Sequence, residues 1–292
     1  MRDRVFNTFI SMLYLISIVA ILYFAYDGME YYLLELKARP HDPLHTNLKP
    51  GGIFGHGFGI IGSLFVILLF LYSARKRFLL GLRFGNIRKW LNVHIFFGII
   101  GPLLITLHTA GKLHGLVSVS YFSMLAVMFS GILGRYIYIQ IPRDEEGHEL
   151  EVGEVEEKSQ VLSAMLVKDF DVPKDVMDEV QRLTEVEFYV GKSQLYTMIL
   201  IILDDFQRPF RFWQLKKFIQ RSHPEFPPKA KRRIILYSKK KSLLHRRKVF
   251  LGAVTNVFHL WHVVHKPFAW IMFIIMFVHV VITVLMGYRW VF

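Results

Sequence analysis

Four histidines in two apolar segments form the pattern with the clearest chemical meaning. His94 and His108 lie 14 residues apart, and so do His265 and His279. An α-helix advances about 1.5 Å and turns about 100° per residue, so 14 residues bring a side chain to within about 40° of its starting face and move it about 21 Å. Each segment therefore presents two imidazoles on one helical face, at two depths.

Imidazoles paired across two such helices suit haem iron, which takes one axial ligand on each side of its ring. Iron with two imidazole ligands changes oxidation state with little rearrangement and leaves no open position for oxygen. The pattern predicts two haem b groups, with these four histidines as the axial ligands of the iron. A proton path or plain helix packing is the alternative use of the same side chains.

His262 competes with His265 for the role of ligand. It lies 17 residues before His279, a rotation of about 100°, so His265 shares a face with His279 and His262 does not. Only a helix kink at Pro267 would bring His262 back to that face.

Three further residues are candidates for contact with the cofactor. Gly101 lies seven residues from both His94 and His108, where a missing side chain would leave room for a flat macrocycle. Close helix packing is a nearly equal alternative for this glycine. Arg88 and Arg135 are candidates for a quinone site on the inner side and, equally, candidates to neutralise the haem propionates.

The composition places these histidines in a membrane protein. Hydrophobic residues make up 53% of the chain and the mean hydropathy is +0.36, which is typical of a polytopic membrane protein. There is no cysteine, which excludes thiolate-bound iron-sulfur clusters, covalent c-type haem and disulfides. We predict an all-α, polytopic membrane helix bundle of about five spans. The apolar runs lie near 5–26, 54–73, 91–110, 118–141 and 266–288.

The charges of the loops predict an orientation. The loop 74–90 carries six basic residues and no acidic one, whereas the loop 27–53 carries three basic and four acidic residues. The positive-inside rule then predicts a multi-pass protein of the plasma (inner) membrane, with a cytoplasmic N-terminus and an external C-terminus. Spans three and five would run in the same direction, which sets His94 opposite His265 near the cytoplasmic face and His108 opposite His279 near the outer face.

The sequence also predicts three segments, and the middle one is polar. We expect spans one to four in 1–142, a mainly helical cytoplasmic or interfacial insert in 143–256 and the fifth span in 257–292. Within the insert, residues 144–187 have a net charge of −11 and residues 188–248 a net charge of +13.

Residues 195–217 combine an apolar run with aromatic and basic side chains. This mixture indicates either an amphipathic helix lying on the lipid surface or part of a small helical domain with its own core. Because the net charge of +13 is explained by membrane topology, we expect no nucleic-acid binding.

With these residues placed, the chain resembles the membrane dihaem b cytochromes, and most closely the ferric-reductase-like transmembrane domains. That family also ligates two haems with histidine pairs on its third and fifth helices, and His94, His108, His265 and His279 match this pattern. The chain departs from the family in having five predicted spans instead of six, and in the insert. It contains no Gly-rich phosphate-binding turn, so we expect no oxidation of NAD(P)H within this chain.

The pattern and the resemblance together predict a dihaem cytochrome that carries electrons between a membrane quinone and a separate redox protein or dehydrogenase subunit. His56 and His114 are candidates for a quinone site near the outer haem. The alternatives are a ferric- or ascorbate-type transmembrane reductase, and a non-redox transporter or scaffold.

Overall fold

The computed structural model describes residues 2–77, 85–142, 150–170, 172–184 and 193–287. Every regular element within these ranges is helical, which confirms the predicted all-α class. In chain order the helices are α1 Arg2–Asp27, α2 Met29–Leu33, α3 His45–Leu48, α4 Ile53–Lys76, α5 Ile87–Thr109, α6 Gly115–Gln140, α7 Val152–Phe170, α8 Lys174–Thr184, α9 Gln194–Ser222 and α10 Pro228–Leu285. A short 3-10 turn at Arg39–His41 lies between α2 and α3.

Five of these helices are long and apolar enough to cross a membrane, as the sequence predicts. They are α1, α4, α5, α6 and α10. The fifth differs from expectation in length, because α10 is one helix of 58 residues that continues through Pro267. The basic segment that follows Pro227 and the apolar fifth span are therefore parts of a single element.

The chain divides into two compact units. The first consists of Met1–Leu133 and Val263–Phe292, and the second of Gly134–His262. The first unit holds the greater part of the apolar spans, and the second contains the predicted insert 143–256 with the end of α6 and the first part of α10.

In the first unit, α4 and α5 form an antiparallel pair that packs closely. Gly101 of α5 lies against α4, where an added Cβ atom would be 3.3 Å from the Cβ of Phe65 and 3.4 Å from the carbonyl oxygen of Gly62. The absence of side chains at both glycines permits this approach. Phe96 and Ile100, which precede Gly101 on α5, are buried in the core of this unit.

The last part of α10 runs in the same direction as α5. The Ser120 hydroxyl of α6 donates to the carbonyl oxygen of Met272 at 2.9 Å, and Ser130 of α6 contacts His265. Residue numbers therefore rise on α6 as they fall on α10, so these two helices are antiparallel. Because α6 returns antiparallel to α5 after a tight turn, α5 and the end of α10 are parallel, as the predicted pairing of histidines requires.

Arg39 ties the segment between α1 and α4 to the end of α5. Its side chain is buried and donates hydrogen bonds to the carbonyl oxygens of Leu34, Tyr32 and Ala110, at 3.0 Å and 2.7 Å for the first two. Ala110 is the left-handed residue that ends α5, so the guanidinium satisfies a helix-terminal carbonyl. Burial raises the pKa of Tyr32 to about 12.

The second unit contains two separate apolar cores. One joins the end of α6 to α9 and α10 through Ile137, Ile141, Ile201, Phe250 and Val254. The other joins α8, the second half of α9 and α10 through Val176, Val180, Leu215, Ile219 and Ile234. The insert therefore has a core of its own, and the first half of α9 packs against the end of a membrane span.

Candidate functional site

His108 and His279 face each other in the first unit. Their ring centres are 6.5 Å apart. An imidazole nitrogen binds a first-row metal ion at about 2.0–2.1 Å and lies about 1.1 Å from its own ring centre, so two imidazoles on opposite sides of one metal ion have ring centres about 6.2–6.4 Å apart. The observed separation of the ring centres lies close to this range.

The backbone of α4 fixes which nitrogen of His108 is available. The Nδ1 atom of His108 lies 2.8 Å from the carbonyl oxygen of Gly55. A carbonyl oxygen only accepts hydrogen bonds, so Nδ1 carries the proton and the lone pair of a neutral ring is on Nε2. Histidines that bind metals commonly donate their other N–H in this way, which orients the ring and raises its basicity.

Gly59 supports the same ring from the side. A Cβ atom at this position would lie 2.7 Å from Nδ1 and 2.8 Å from Cε1 of His108. Gly55, Gly59 and Gly62 share one face of α4 at spacings of four and three residues, and all three are buried. This glycine face receives the His108 ring and the backbone of α5.

The other predicted pair has the same kind of support, but its rings are held by different helices. The Nδ1 atom of His94 lies 3.2 Å from the carbonyl oxygen of Leu69 on α4, and Nδ1 of His265 lies 2.7 Å from the hydroxyl oxygen of Ser130 on α6. Ser130 donates its own proton to the carbonyl oxygen of Val127 at 3.0 Å. The hydroxyl oxygen of Ser130 can therefore accept a hydrogen bond from Nδ1 of His265.

Three of the four predicted ligands therefore have Nδ1 held by an oxygen on a neighbouring helix. A ring contact like that of His108 and His279 is not seen between His94 and His265 in the described part of the chain. Groups of three or more His, Asp or Glu side chains that could hold a metal ion are also not found among the described residues. A haem iron needs only a pair, because the macrocycle supplies its other four ligands.

His262 has a different environment from that of the predicted ligands. Its Nδ1 atom lies 2.9 Å from the carbonyl oxygen of Phe258 on its own helix, and its ring packs against those of Phe258 and Trp261. The choice of His265 over His262 stays a prediction.

The remaining predicted residues occupy varied positions. Gly101 packs against α4, which is the alternative that the sequence left open for it. Arg88 is exposed in the first turn of α5, while Arg135 belongs to the second unit, where its guanidinium lies 5.6 Å from the centre of the Tyr138 ring. His56 is half-buried in α4 beside the glycine face, and His114 is exposed between α5 and α6. Their roles toward propionates and quinone stay predictions.

Ser130, Gly55 and Gly59 are supporting residues that sequence reasoning missed. A backbone carbonyl has no sequence signature, so Gly55 could not be singled out as an acceptor. The spacing of Gly55, Gly59 and Gly62 is a detectable signal, because small residues at this spacing mark a face where two membrane helices approach closely.

An ionic cluster in the second unit was also missed. Asp204 and Asp205 of α9 contact Arg246 of α10 at 3.2 and 2.5 Å, and Arg211 pairs with Asp204 as well. The hydroxyl of Tyr136, within the last two turns of α6, donates to Asp205 at 2.6 Å. The sequence analysis treated these acids only as part of the charge of the insert.

No protein-family model, no curated protein and no solved structure matches this chain. The resemblance to dihaem b cytochromes therefore stays a prediction. The functional argument rests on the four histidines and the groups around them.

Proposed function

We propose that this protein is a dihaem b-type cytochrome of the membrane, which carries electrons between a quinone pool and a partner redox protein as the membrane subunit of an oxidoreductase complex. The observation that supports this most directly is the 6.5 Å separation of the His108 and His279 rings. Neither ring has an acidic partner that would suggest a proton relay between them in the described structure.

The protein's own part in this function is to hold imidazoles in one tautomer and one orientation. Gly55 and Leu69 accept the Nδ1 protons of His108 and His94, and Ser130 accepts that of His265. Each Nε2 lone pair is then available without a proton having to leave. Bound haem would supply one-electron chemistry, with two axial imidazoles limiting the rearrangement that accompanies each change of charge.

Quinone and the partner protein complete the proposal. His56 lies on α4 one residue beyond Gly55, the acceptor for His108, which favours a quinone site at this end of the first unit. The basic loop 74–90 and the basic half of the insert provide charge for an acidic partner. In this proposal the chain lies in the plasma (inner) membrane with its N-terminus in the cytoplasm and its C-terminus outside.

The decisive measurement is a reduced-minus-oxidised optical spectrum of the purified protein, with haem quantified per chain as the pyridine haemochrome. We expect two b-type haems per chain. His279→Ala should remove one haem, and His265→Ala should remove the other.

His262→Ala is the matched control, because it removes an imidazole from the same helix and should leave both haems bound. A colourless protein would overturn the proposal and favour a non-redox transporter or scaffold. If haem is present, reduction by quinol but not by ascorbate supports the quinone-linked function over an ascorbate-type reductase.

A further inference from the structure

In the first half of α9, a row of large apolar side chains is exposed and an ionic cluster is buried. Large apolar residues are exposed along one face, with Phe206 exposed to 79% and Phe210 to 58%. The exposed face also includes Ile199, Ile202, Leu203 and Trp213. These positions recur every three or four residues, so they form one continuous stripe about four turns long.

The opposite face of the same helix carries the ionic cluster. The side chain of Asp204 is only 2% exposed and that of Arg246, its partner on α10, only 5%. Arg211 closes the cluster on α9, and Gln140 of α6 accepts a hydrogen bond from Arg246 at 2.9 Å. A helix in water normally places its apolar side chains inward and its charges outward. In this part of α9, Ile201 is buried, but the large apolar residues of the stripe are exposed and the charges of Asp204 and Arg211 face the protein.

The first half of α9 packs against the end of a membrane span. Tyr136 and Ile137 of α6 contact Asp205 and Ile201 of α9. Because α6 is itself long and apolar enough to cross a membrane, the first half of α9 lies beside the end of a candidate span. An apolar surface of this length that the described residues leave exposed is suited to lipid.

The boundaries of the stripe match those of a membrane surface. Phe210 and Trp213 stack with ring centres 5.5 Å apart, and the ammonium group of Lys217 lies 3.8 Å from the centre of the Trp213 ring. Beyond Trp213 the exposed face continues with Lys216, Lys217 and Gln220. Aromatic rings followed by lysines are the side chains that membrane proteins place at the headgroup layer.

The surrounding charge favours one kind of lipid. The segment 229–248 of α10, which packs beside α9, carries ten basic residues and no acidic one. Arg246 is occupied within the ionic cluster and Lys248 pairs with Glu156 of α7, but the segment as a whole is strongly positive. Basic residues next to an interfacial helix attract anionic headgroups.

We propose that α9 from Ile199 to Trp213 lies in the surface of the bilayer, with its apolar stripe against the acyl chains of anionic phospholipids and Lys216 and Lys217 among the headgroups. The rest of α9 leaves the membrane and packs into the core formed with α8 and α10. The membrane boundary therefore falls within α9, between Trp213 and Gln220. This inference does not depend on haem binding.

The absence of cysteine from the chain allows a direct test. Phe206→Cys and Gln220→Cys, on the same side of α9, are each labelled with a nitroxide in the full-length protein. The protein is reconstituted as one copy per nanodisc, in phosphatidylcholine mixed with phosphatidylglycerol. Collision rates of the label with oxygen, which concentrates in lipid, and with a water-soluble nickel chelate are then measured by electron paramagnetic resonance.

We expect oxygen collisions to dominate at position 206 and nickel collisions at position 220. Nickel collisions dominating at position 206 would overturn the proposal, because the stripe would then face water. Protection of position 206 from both reagents would also overturn it, because protein would then cover the stripe. Ile202→Cys serves as a second probe should Phe206→Cys fail to fold.

The lipid charge is tested with the same labelled protein. Replacing phosphatidylglycerol by phosphatidylcholine should lower the ratio of oxygen to nickel collisions at position 206. An unchanged ratio would refute the preference for anionic lipid.

Discussion

Replacing Gly59 by alanine tests whether α4 sets the position of the His108 ring. The new methyl carbon would lie 2.7 Å from Nδ1 of His108, whereas ordinary contacts are 3.4–4 Å. The ring must therefore retreat by about 0.7 Å, since the backbone of α4 is held by its helical hydrogen bonds. The retreat lengthens the hydrogen bond from Nδ1 to Gly55, which is 2.8 Å long.

The expected loss of haem affinity follows from the weakened hydrogen bond between His108 and Gly55. Loss of one hydrogen bond costs about 0.5–1.5 kcal/mol, and loss of a group that orients a metal ligand typically lowers metal affinity by about 10- to 100-fold. We expect Gly59→Ala to lower the affinity of one haem site by about this factor and to leave the other site unchanged. The assay is a titration of haem into haem-free protein, followed by the Soret absorbance.

Gly98→Ala is the control, because it makes the same change in α5 with ordinary contacts. A Cβ atom there would lie 3.7 Å from the nearest side-chain atom, on Leu69. Alanine favours a helix over glycine by up to about 1 kcal/mol at either site, so both variants gain the same backbone term. Equal haem affinities in Gly59→Ala and the wild type would refute the reasoning, as would an equal loss in Gly98→Ala.

Four further variants test stability and ligand support. Arg246→Met removes one of the two arginine partners of the buried Asp204 and should destabilise the protein by about 1.5–3 kcal/mol, measured by thermal unfolding in detergent. Lys248→Met breaks only an exposed pair and should cost at most about 1 kcal/mol. Ser130→Ala removes the acceptor for His265 and should lower the haem affinity of one site by about 10- to 100-fold in the same titration. His223→Gln should reduce the melting temperature most at mildly acidic pH.

The pH dependence at His223 follows from its two carboxylate partners. Its ring nitrogens lie 2.8 Å from Asp175 and 2.9 Å from Glu225. These hydrogen bonds raise the pKa of His223 and lower the pKa of Asp175. The pKa of Glu225 is lowered by the hydrogen bond from its own backbone N–H and then by His223. The stabilisation that comes from the raised pKa of His223 is lost as the pH rises through that pKa. The stabilisation that comes from the lowered pKa values of the carboxylates is lost as the pH falls through those values. The melting temperatures of the wild type and His223→Gln should therefore differ most at pH values between the pKa values of the carboxylates and that of His223. They should converge in alkaline solution.

Contrary results would identify which argument is wrong. Equal losses of stability in Arg246→Met and Lys248→Met would mean that the cluster around Asp204 is solvated. Unchanged haem affinity in Ser130→Ala would mean that the Ser130 hydroxyl does not orient His265. A difference between wild type and His223→Gln that persists in alkaline solution would mean that packing against Phe226, and not charge, stabilises this position.

The spans could be predicted because each one is a continuous apolar run, and length alone decides whether a run crosses a membrane. The faces of the histidines could be predicted because helical periodicity fixes them without tertiary information. The partners of Nδ1 could not, since the carbonyl oxygens of Gly55 and Leu69 belong to positions where any residue offers the same atom.

Only part of the arrangement of α9 could be predicted from the sequence. The apolar run and the neighbouring charges are apparent, and both an interfacial helix and a small domain were open. In the structure, Ile201 packs against the end of α6 whereas Leu215 and Ile219 pack in the core of the insert, so the second half of the helix belongs to a small domain. The interfacial role of the first half is the proposal made above. Which side of such a helix faces the protein depends on distant residues such as Tyr136 and Arg246.

The close packing of α4 against α5 has a consequence for biosynthesis. His108 and the two glycines that support it emerge from the ribosome within one helical hairpin, whereas His279 follows His108 by 171 residues. The nascent hairpin therefore exposes a preorganised imidazole long before its counterpart is made. In the proposed function, incorporation of haem between the two rings would have to wait until α10 has been translated and inserted. A chain truncated after α9 would retain His108 and its supporting glycines but would lack His279.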